Sequence, residues 1–229
     1  MLLQPIVELA TGRIAGAEAL ARFPDSSERS PDVWFAEAAA AGLGVELELS
    51  AIRAALCMLS KLPGSTYLSV NASPATVVSD PLLELLSSAP AGRLVLELTE
   101  HVPVADYDQL AGPLNRLRWQ GVRLAVDDAG SGYSSLQHIL NIAPDIIKLD
   151  ATLVRDVDTD PARRSLVASL KTFADRTDAA VVAEGIETEQ EHAALVRLNI
   201  GFGQGYYLGR PAPRLPERLA GARPERRTA

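Results

Sequence analysis

Residues 122–150 read VRLAVDDAGSGYSSLQHILNIAPDIIKLD. An apolar run rich in Val, Leu and Ala ends on two adjacent carboxylates, Asp127 and Asp128, and passes into a Gly-Ser-Gly turn. A segment of helical period over 133–141 follows, and then a second apolar run, DIIKLD. Two strands joined by a helix lie parallel, because only a crossover returns the chain to the same end of a sheet. The stretch is therefore a βαβ unit with a charge problem at the end of its first strand. Adjacent anions repel, and a fold tolerates them mainly where water solvates them or a cation binds them.

The same rhythm extends outward. Towards the C-terminus come a long helix over 161–176, the strand AAVVAEG, a helix over 188–198 and a short strand near 200–204. Towards the N-terminus lie a helix over 106–120, the strand RLVLEL, a helix over 81–88, the strand TYLSVN and helical patterns near 31–41 and 46–61. The central strands are mostly Val, Ile, Leu and Ala, as parallel strands covered on both faces require. At the start, runs over 2–7 and 14–23 are joined by a link containing Thr11 and Gly12, so short that it makes an antiparallel hairpin. These eight strands predict an α/β fold closed as a barrel. An open doubly wound sheet accommodates the same alternation.

Composition narrows the class. The 229 residues are 47% hydrophobic and 22% charged, ordinary for a folded domain. A net charge of −7 argues against a surface that tracks a nucleic acid polymer. The single cysteine, Cys57, excludes an internal disulfide; its setting AALCMLS reads as core, and the composition fits a reducing, cytoplasmic compartment. The opening MLLQPIVELA is too short and too polar for a signal peptide or a span, so no membrane contact is expected from this chain. Because the first residues already read as a strand, an N-terminal lead-in is expected to be missing. The domain is expected to run over 1–215, with 216–229 a disordered tail.

In a βα barrel, chemistry collects at the C-terminal ends of the strands. The polar residues there are Asn71, Glu97, Asp127, Asp128, Lys148, Asp150, Glu184, Glu187 and Gln204, with Glu18 contributed by the hairpin. Any one could be a helix cap or a solvated loop residue, and Asp128 could cap the helix near Tyr133. Strand after strand ending this way at one rim is improbable as independent capping. Glu18, Glu97, Asp127, Asp128, Glu184 and Glu187 crowd around a single ammonium, Lys148, so cations are needed or several carboxyls stay protonated. Oxygen donors without Cys or His favour Mg²⁺ or Mn²⁺ over Zn²⁺. Adjacent aspartates suit two ions, the arrangement that clamps a phosphoester for in-line hydrolysis. Lys148 either acts on the attacking water or serves as a countercharge. Arg22 offers a planar fork to phosphate. The Gly130-Ser131-Gly132 turn reads as a hinge, and His101, His138 and His192, lacking ligand spacing, as surface or packing residues.

The motifs QPIV (4–7), EALAR (18–22), SVNAS, ELTE (97–100), DDAGSGYSSL (127–136), IKLD (147–150), AEGIET (183–188) and QGYYLGRP (204–211) together resemble the EAL-domain family of cyclic di-GMP phosphodiesterases. The resemblance implies a modified (β/α)8 TIM-type barrel with an antiparallel first strand. It implies hydrolysis of cyclic di-GMP to linear 5′-pGpG with two Mg²⁺ or Mn²⁺ ions. By motif, Glu18, Asn71, Glu97, Asp127, Asp128 and Glu184 correspond to metal ligands, with Asp127 bridging, and Lys148 to the residue on the catalytic water. Glu187 and Gln204 correspond to supporting catalytic positions, and Gln4, Leu20, Arg22 and Asp150 to the dinucleotide site. Glu100 corresponds to the carboxylate that steadies the loop after the aspartates. Ala129 and Ser131 stand where the family usually has Phe and Thr, and Asn199 where glycine is common. The family's habit of pairing through the loop and helix after the aspartates implies a homodimer. Two rival functions stand beside this: a barrel that binds cyclic di-GMP without cleaving it, and a one-metal enzyme for another phosphoester or an enolisable acid.

Overall fold

A computed structural model describes residues 1–23, 29–99, 107–129 and 133–216. The hairpin forms as expected: β1 (Leu2–Glu8) runs antiparallel to β2 (Ile14–Leu20), with Gln4 opposite Glu18 and a register shift between Ile6 and Val7. Its turn is held by Thr11 Oγ1, which donates to Glu8 at 2.5 Å, and by Gly12 at φ +74°. There follow α1 (Pro31–Ala40), α2 (Gly44–Leu59), β3 (Tyr67–Ala72), α3 (Pro74–Val77), α4 (Asp80–Ser87), β4 (Leu94–Leu98) and α5 (Tyr107–Gln120). The chain continues through β5 (Arg123–Ala129), α6 (Tyr133–Ile142), β6 (Ile146–Leu149), α7 (Ala151–Val154), α8 (Pro161–Arg176), β7 (Ala180–Ala183), α9 (Glu189–Arg197) and β8 (Phe202–Gly203).

The strands close in sequence order, β1 through β8, into one barrel. β1 is antiparallel to both its neighbours, β2 and β8, and every other pair is parallel. Closure excludes the doubly wound sheet. Outward residues such as Leu68, Leu96, Leu124 and Leu149 pack with the helices into the main core. Inward, Ile6, Tyr67, Val95, Ala125, Ile146 and Val182 form a separate apolar plug. Gly16 leaves room for the Tyr67 ring, which a Cβ there would meet at 2.4 Å.

Local differences from the sequence expectation have local causes. The strand expected over 14–23 ends at Leu20, so Arg22 lies beyond the sheet. α3 and α7 are four-residue turns, capped by Ser73 and Asp150 and too short to show a period. Cys57 is exposed, not core, because α2 buries the face carrying Leu49, Ile52, Ala55 and Leu59. Among the described residues no helix is long and apolar enough to cross a membrane.

Candidate active site and metal centre

The pleat builds the site. Each residue of the apolar plug is followed, two positions nearer the barrel mouth, by a polar side chain on the same inner face: Tyr67 by Ser69, Val95 by Glu97, Ala125 by Asp127, Ile146 by Lys148, Val182 by Glu184. On β1, which runs the other way, Ile6 is followed by Gln4. The barrel is thus sealed below and polar above. The cleft at its mouth, about 420 Å³, is lined by Gln4, Glu18, Asp127, Asp128, Lys148 and Glu184 among others.

The adjacent aspartates sit on a β-bulge. Val126 pairs with Ile147 and Ala129 with Leu149, so Asp127 and Asp128 together stand opposite the one residue Lys148. Asp128 adopts φ +52°, the left-handed region, and its N–H donates to Asp127 Oδ1 at 3.1 Å. A regular strand would send the two carboxylates to opposite faces; the bulge brings both to the mouth. Carboxylate oxygens of Asp127, Asp128 and Glu184 lie within 4.8 Å of one another. Three hard oxygen donors in such a cluster fit a divalent cation of the Mg²⁺ or Mn²⁺ kind.

Behind this cluster Lys148, only 1% exposed, directs Nζ at Glu97 (2.6 Å), Glu184 (2.8 Å), Asp127 (3.0 Å) and Glu18 (3.7 Å). Burial by itself would lower the Lys148 pKa, but Asp127, Glu18, Glu184 and Glu97 outweigh it and hold the ammonium well above its usual range. Surrounded by these carboxylates, Lys148 is an ammonium that donates hydrogen bonds from Nζ. Burial pushes the Glu97 carboxyl up to about 8 against the pull of Lys148, with Glu18 and Asp127 adding to the rise. Burial also raises Glu184, again opposed by Lys148 and reinforced by Asp127 and Glu18. Ser69 Oγ donates to the second oxygen of Glu97 at 2.5 Å. Glu18 is fixed at both oxygens, by Asn71 Nδ2 at 3.0 Å and Gln204 Nε2 at 2.7 Å. Gln204 Nε2 also donates to Gln4 Oε1 at 3.0 Å, and Gln4 Nε2 to the Gly209 carbonyl at 3.3 Å. Gly205 cannot be replaced without strain: a Cβ would come within 2.2 Å of the Ile186 backbone.

The family model described as EAL domain matches residues 1–211. This chain belongs to the EAL domain family. It is 33% identical over 220 residues to the probable cyclic di-GMP phosphodiesterase PdeG of Escherichia coli, covering 91% of this chain and 43% of PdeG. Klebsiella pneumoniae BlrP1, in its calcium and cyclic di-GMP complex at pH 8.0, superimposes with a TM-score of 0.85 at 33% identity, over 95% of this chain and 57% of that one. Its manganese and cyclic di-GMP complex at pH 6 gives a TM-score of 0.84 at 33% identity, over 95% and 57%. The EAL domain described here thus spans less than half the length of PdeG and little more than half of BlrP1.

The remaining expected residues of this EAL domain distribute around the mouth. Asn71 and Glu97 join the cluster through Glu18 and Lys148, and do not line the cleft directly. Asp150 lines it while capping α7, accepting from Thr152 N at 2.8 Å. Glu187 is exposed at the rim, 3.8 Å from Arg155 Nη2. Leu20 is half-buried at the end of β2; Arg22 is exposed and donates to the Ala21 carbonyl at 2.7 Å. Glu100, His101, the 130–132 turn and the tail from 217 lie outside the described residues. His138 is buried and shares a 2.8 Å hydrogen bond with the Tyr107 hydroxyl, and His192 bonds the Leu9 carbonyl at 3.2 Å, so both are packing residues. Sequence reading missed Ser69, although it sits two residues before Asn71 in an alternating strand. It also missed Tyr206 at the cleft, and Glu191, whose signal is the capping box Thr188-x-x-Glu191.

Proposed function

We propose that this EAL domain is a metal-dependent phosphodiesterase that hydrolyses cyclic di-GMP to linear 5′-pGpG. The observation that carries the reading is the bulged Asp127–Asp128 pair facing Lys148, with Glu184 within reach, in a family whose relatives are named for that activity. Asp127, Asp128 and Glu184 would hold two Mg²⁺ or Mn²⁺ ions, with Glu18, Asn71 and Glu97 adjoining. Bound there, the ions would neutralise phosphate charge and make water a competent nucleophile near neutral pH.

The chain's own residues do the rest. Lys148 donates from Nζ and steadies the attacking water, while its positive charge offsets the anions behind the metal cluster. Asn71 and Gln204 lock the Glu18 carboxylate in one orientation, and Gln4 ties that lock to the segment after β8. Gln4, Leu20, Arg22 and Asp150 border the place the dinucleotide occupies, and Glu187 and Gln204 support the reacting end. In the reaction water supplies the oxygen that ends on phosphorus, one P–O3′ bond breaks, and the released 3′ oxygen takes a proton.

Chromatography after incubation with cyclic di-GMP tests the reading: 5′-pGpG accumulates with Mn²⁺ or Mg²⁺ and not with chelator. Folded protein that binds manganese yet leaves the dinucleotide intact overturns it. The reading extends to a homodimer through α6, on which Leu140 is 71% exposed, and to a cytoplasmic setting that suits one free thiol. Light scattering that gives a monomer mass at working concentrations removes the dimer from it.

A further inference from the structure

Glu191 is a carboxylate 5% exposed that forms no ion pair among the described residues. It occupies the third position of α9 and completes a capping box: its N–H donates to Thr188 Oγ1 at 3.2 Å, and its Oε2 accepts from Thr188 N at 3.0 Å. A cap requires no more than that. Oε2 accepts a second time, from Glu187 N at 2.9 Å, and Oε1 accepts from Asp156 N at 3.3 Å. Asp156 follows α7 on the segment leaving β6, and itself adopts φ +60°.

One buried carboxylate therefore joins two rim segments. The segment after β6 begins at Lys148 and Asp150; the segment after β7 holds Glu184 and Glu187. They already touch at Gly185, where a Cβ would lie 2.5 Å from Ala151 Cβ. Any slip of one against the other is felt by the 2.8 Å contact between Lys148 and Glu184.

We propose that Glu191 is a positioning residue of the metal centre, holding the rims of β6 and β7 together so that Glu184 keeps its place beside Asp127 and Asp128. The proposal rests on the phosphodiesterase reading only for its effect on turnover.

The test is manganese affinity of the full chain, read by electron paramagnetic resonance with the metal alone. Glu191→Ala, and Glu191→Asp, which keeps the charge but withdraws the reach, are expected to weaken manganese binding about tenfold or more, the usual effect of losing an outer hydrogen-bond partner. Glu191→Gln keeps an acceptor for Glu187 N and Thr188 N but turns its amide NH2 towards the Asp156 N–H, so it keeps the cap, breaks the bridge to the β6 segment and is expected to weaken manganese binding as Glu191→Asp does. Thr188→Ala removes the other half of the capping box without detaching the carboxylate, and stays within about threefold of the unaltered chain. If Glu191→Ala fails to fold, the contrast between Glu191→Gln and Thr188→Ala decides. Unaltered affinity in Glu191→Gln, or in both the Ala and Asp variants, overturns the proposal, as does a loss in Thr188→Ala equal to that of Glu191→Ala. Cyclic di-GMP left uncleaved by protein that binds manganese would remove the phosphodiesterase reading and leave the affinity test of Glu191 standing.

Discussion

Replacing Lys148 with Met keeps the length of the side chain and removes the charge around which the site is arranged. Nζ lies 2.6, 2.8, 3.0 and 3.7 Å from Glu97, Glu184, Asp127 and Glu18. At an effective dielectric near 20, one contact at ~3 Å is worth about 5–6 kcal/mol before desolvation. Removing one partner of a buried pair costs about 3–5 kcal/mol net. Glu97 and Glu184, already pushed up by burial, absorb part of that loss by taking protons, which leaves about 2–3 kcal/mol. For a domain of this size that is a fall in Tm of about 4–12 °C in chelator. The pH dependence has a definite sign. A carboxyl whose folded pKa is raised binds its proton more tightly folded than unfolded, so stability falls as pH rises from the ordinary carboxyl range towards the Glu97 value of about 8. The unaltered chain shares that fall up to about pH 8, because Glu97 keeps its proton in both folds; the variant's deficit widens only above about pH 8, where Lys148 lets Glu97 ionise in the unaltered chain alone. Manganese raises the variant's Tm more than that of the unaltered chain, because dications cancel the same charge. Turnover of cyclic di-GMP drops about 100-fold or more, the range for losing a group on the reacting water. Calorimetry in chelator and with manganese, beside product chromatography, reads all of these. An unchanged Tm in chelator at pH 8 refutes the electrostatic account, and turnover above a tenth of normal refutes the role given to Lys148.

Asp128→Asn should leave stability within about 0.5 kcal/mol, since Asn also tolerates the left-handed backbone, while manganese affinity measured by calorimetric titration falls by more than about tenfold. Gly205→Ala forces a Cβ against the Ile186 backbone, costs about 1–3 kcal/mol in the urea midpoint, and lowers turnover by displacing Gln204 from Glu18. Burial lowers the pKa of His138, so the unfolded chain takes up a proton at a pH where the fold does not; stability present above about pH 6.5 is lost as pH falls through it. Glu or Gln cannot repeat this, and His138→Gln should show a smaller drop in urea midpoint from pH 7 to pH 5 than the unaltered chain.

Much of the barrel was legible because parallel strands announce themselves as apolar runs and a link as short as the one through Thr11 and Gly12 permits nothing but a hairpin. Closure was not, since an open sheet has the same alternation; what decides it is β1 pairing with both β2 and β8, a contact between residues about 200 apart in register, such as Val7 with Gly203. The site residues could be read one by one from strand ends. Their grouping could not: Glu18 meets Gln204 and Lys148 meets Glu97 only across the closed barrel. Cys57 was misplaced because a run such as AALCMLS does not tell which face of α2 turns inward. The capping box at Thr188 and Glu191 is a local signal, but the bond from Asp156 to Glu191 depends on the packing of two loops and leaves no trace in spacing.

The paired aspartates show how such distant constraints are met by one local irregularity. In a regular β5, Asp127 and Asp128 would point to opposite faces, one into the mouth and the other into the layer between sheet and helices. That layer is filled by side chains such as Leu124, Val126 and Leu149. An ionised carboxylate there, without a partner, costs several kcal/mol. A left-handed residue at Asp128 costs about 1–3 kcal/mol. The bulge is the smaller penalty, and it adds one residue on β5 against the single residue Lys148 on β6. Lys148 therefore stands opposite both aspartates in the ladder, its ammonium 3.0 Å from Asp127, through the same register shift that rescues Asp128 from burial. Charge, backbone strain and the spacing of the carboxylates are three aspects of one defect in the ladder, so a substitution that regularises β5 would misplace two carboxylates of the proposed metal site at once.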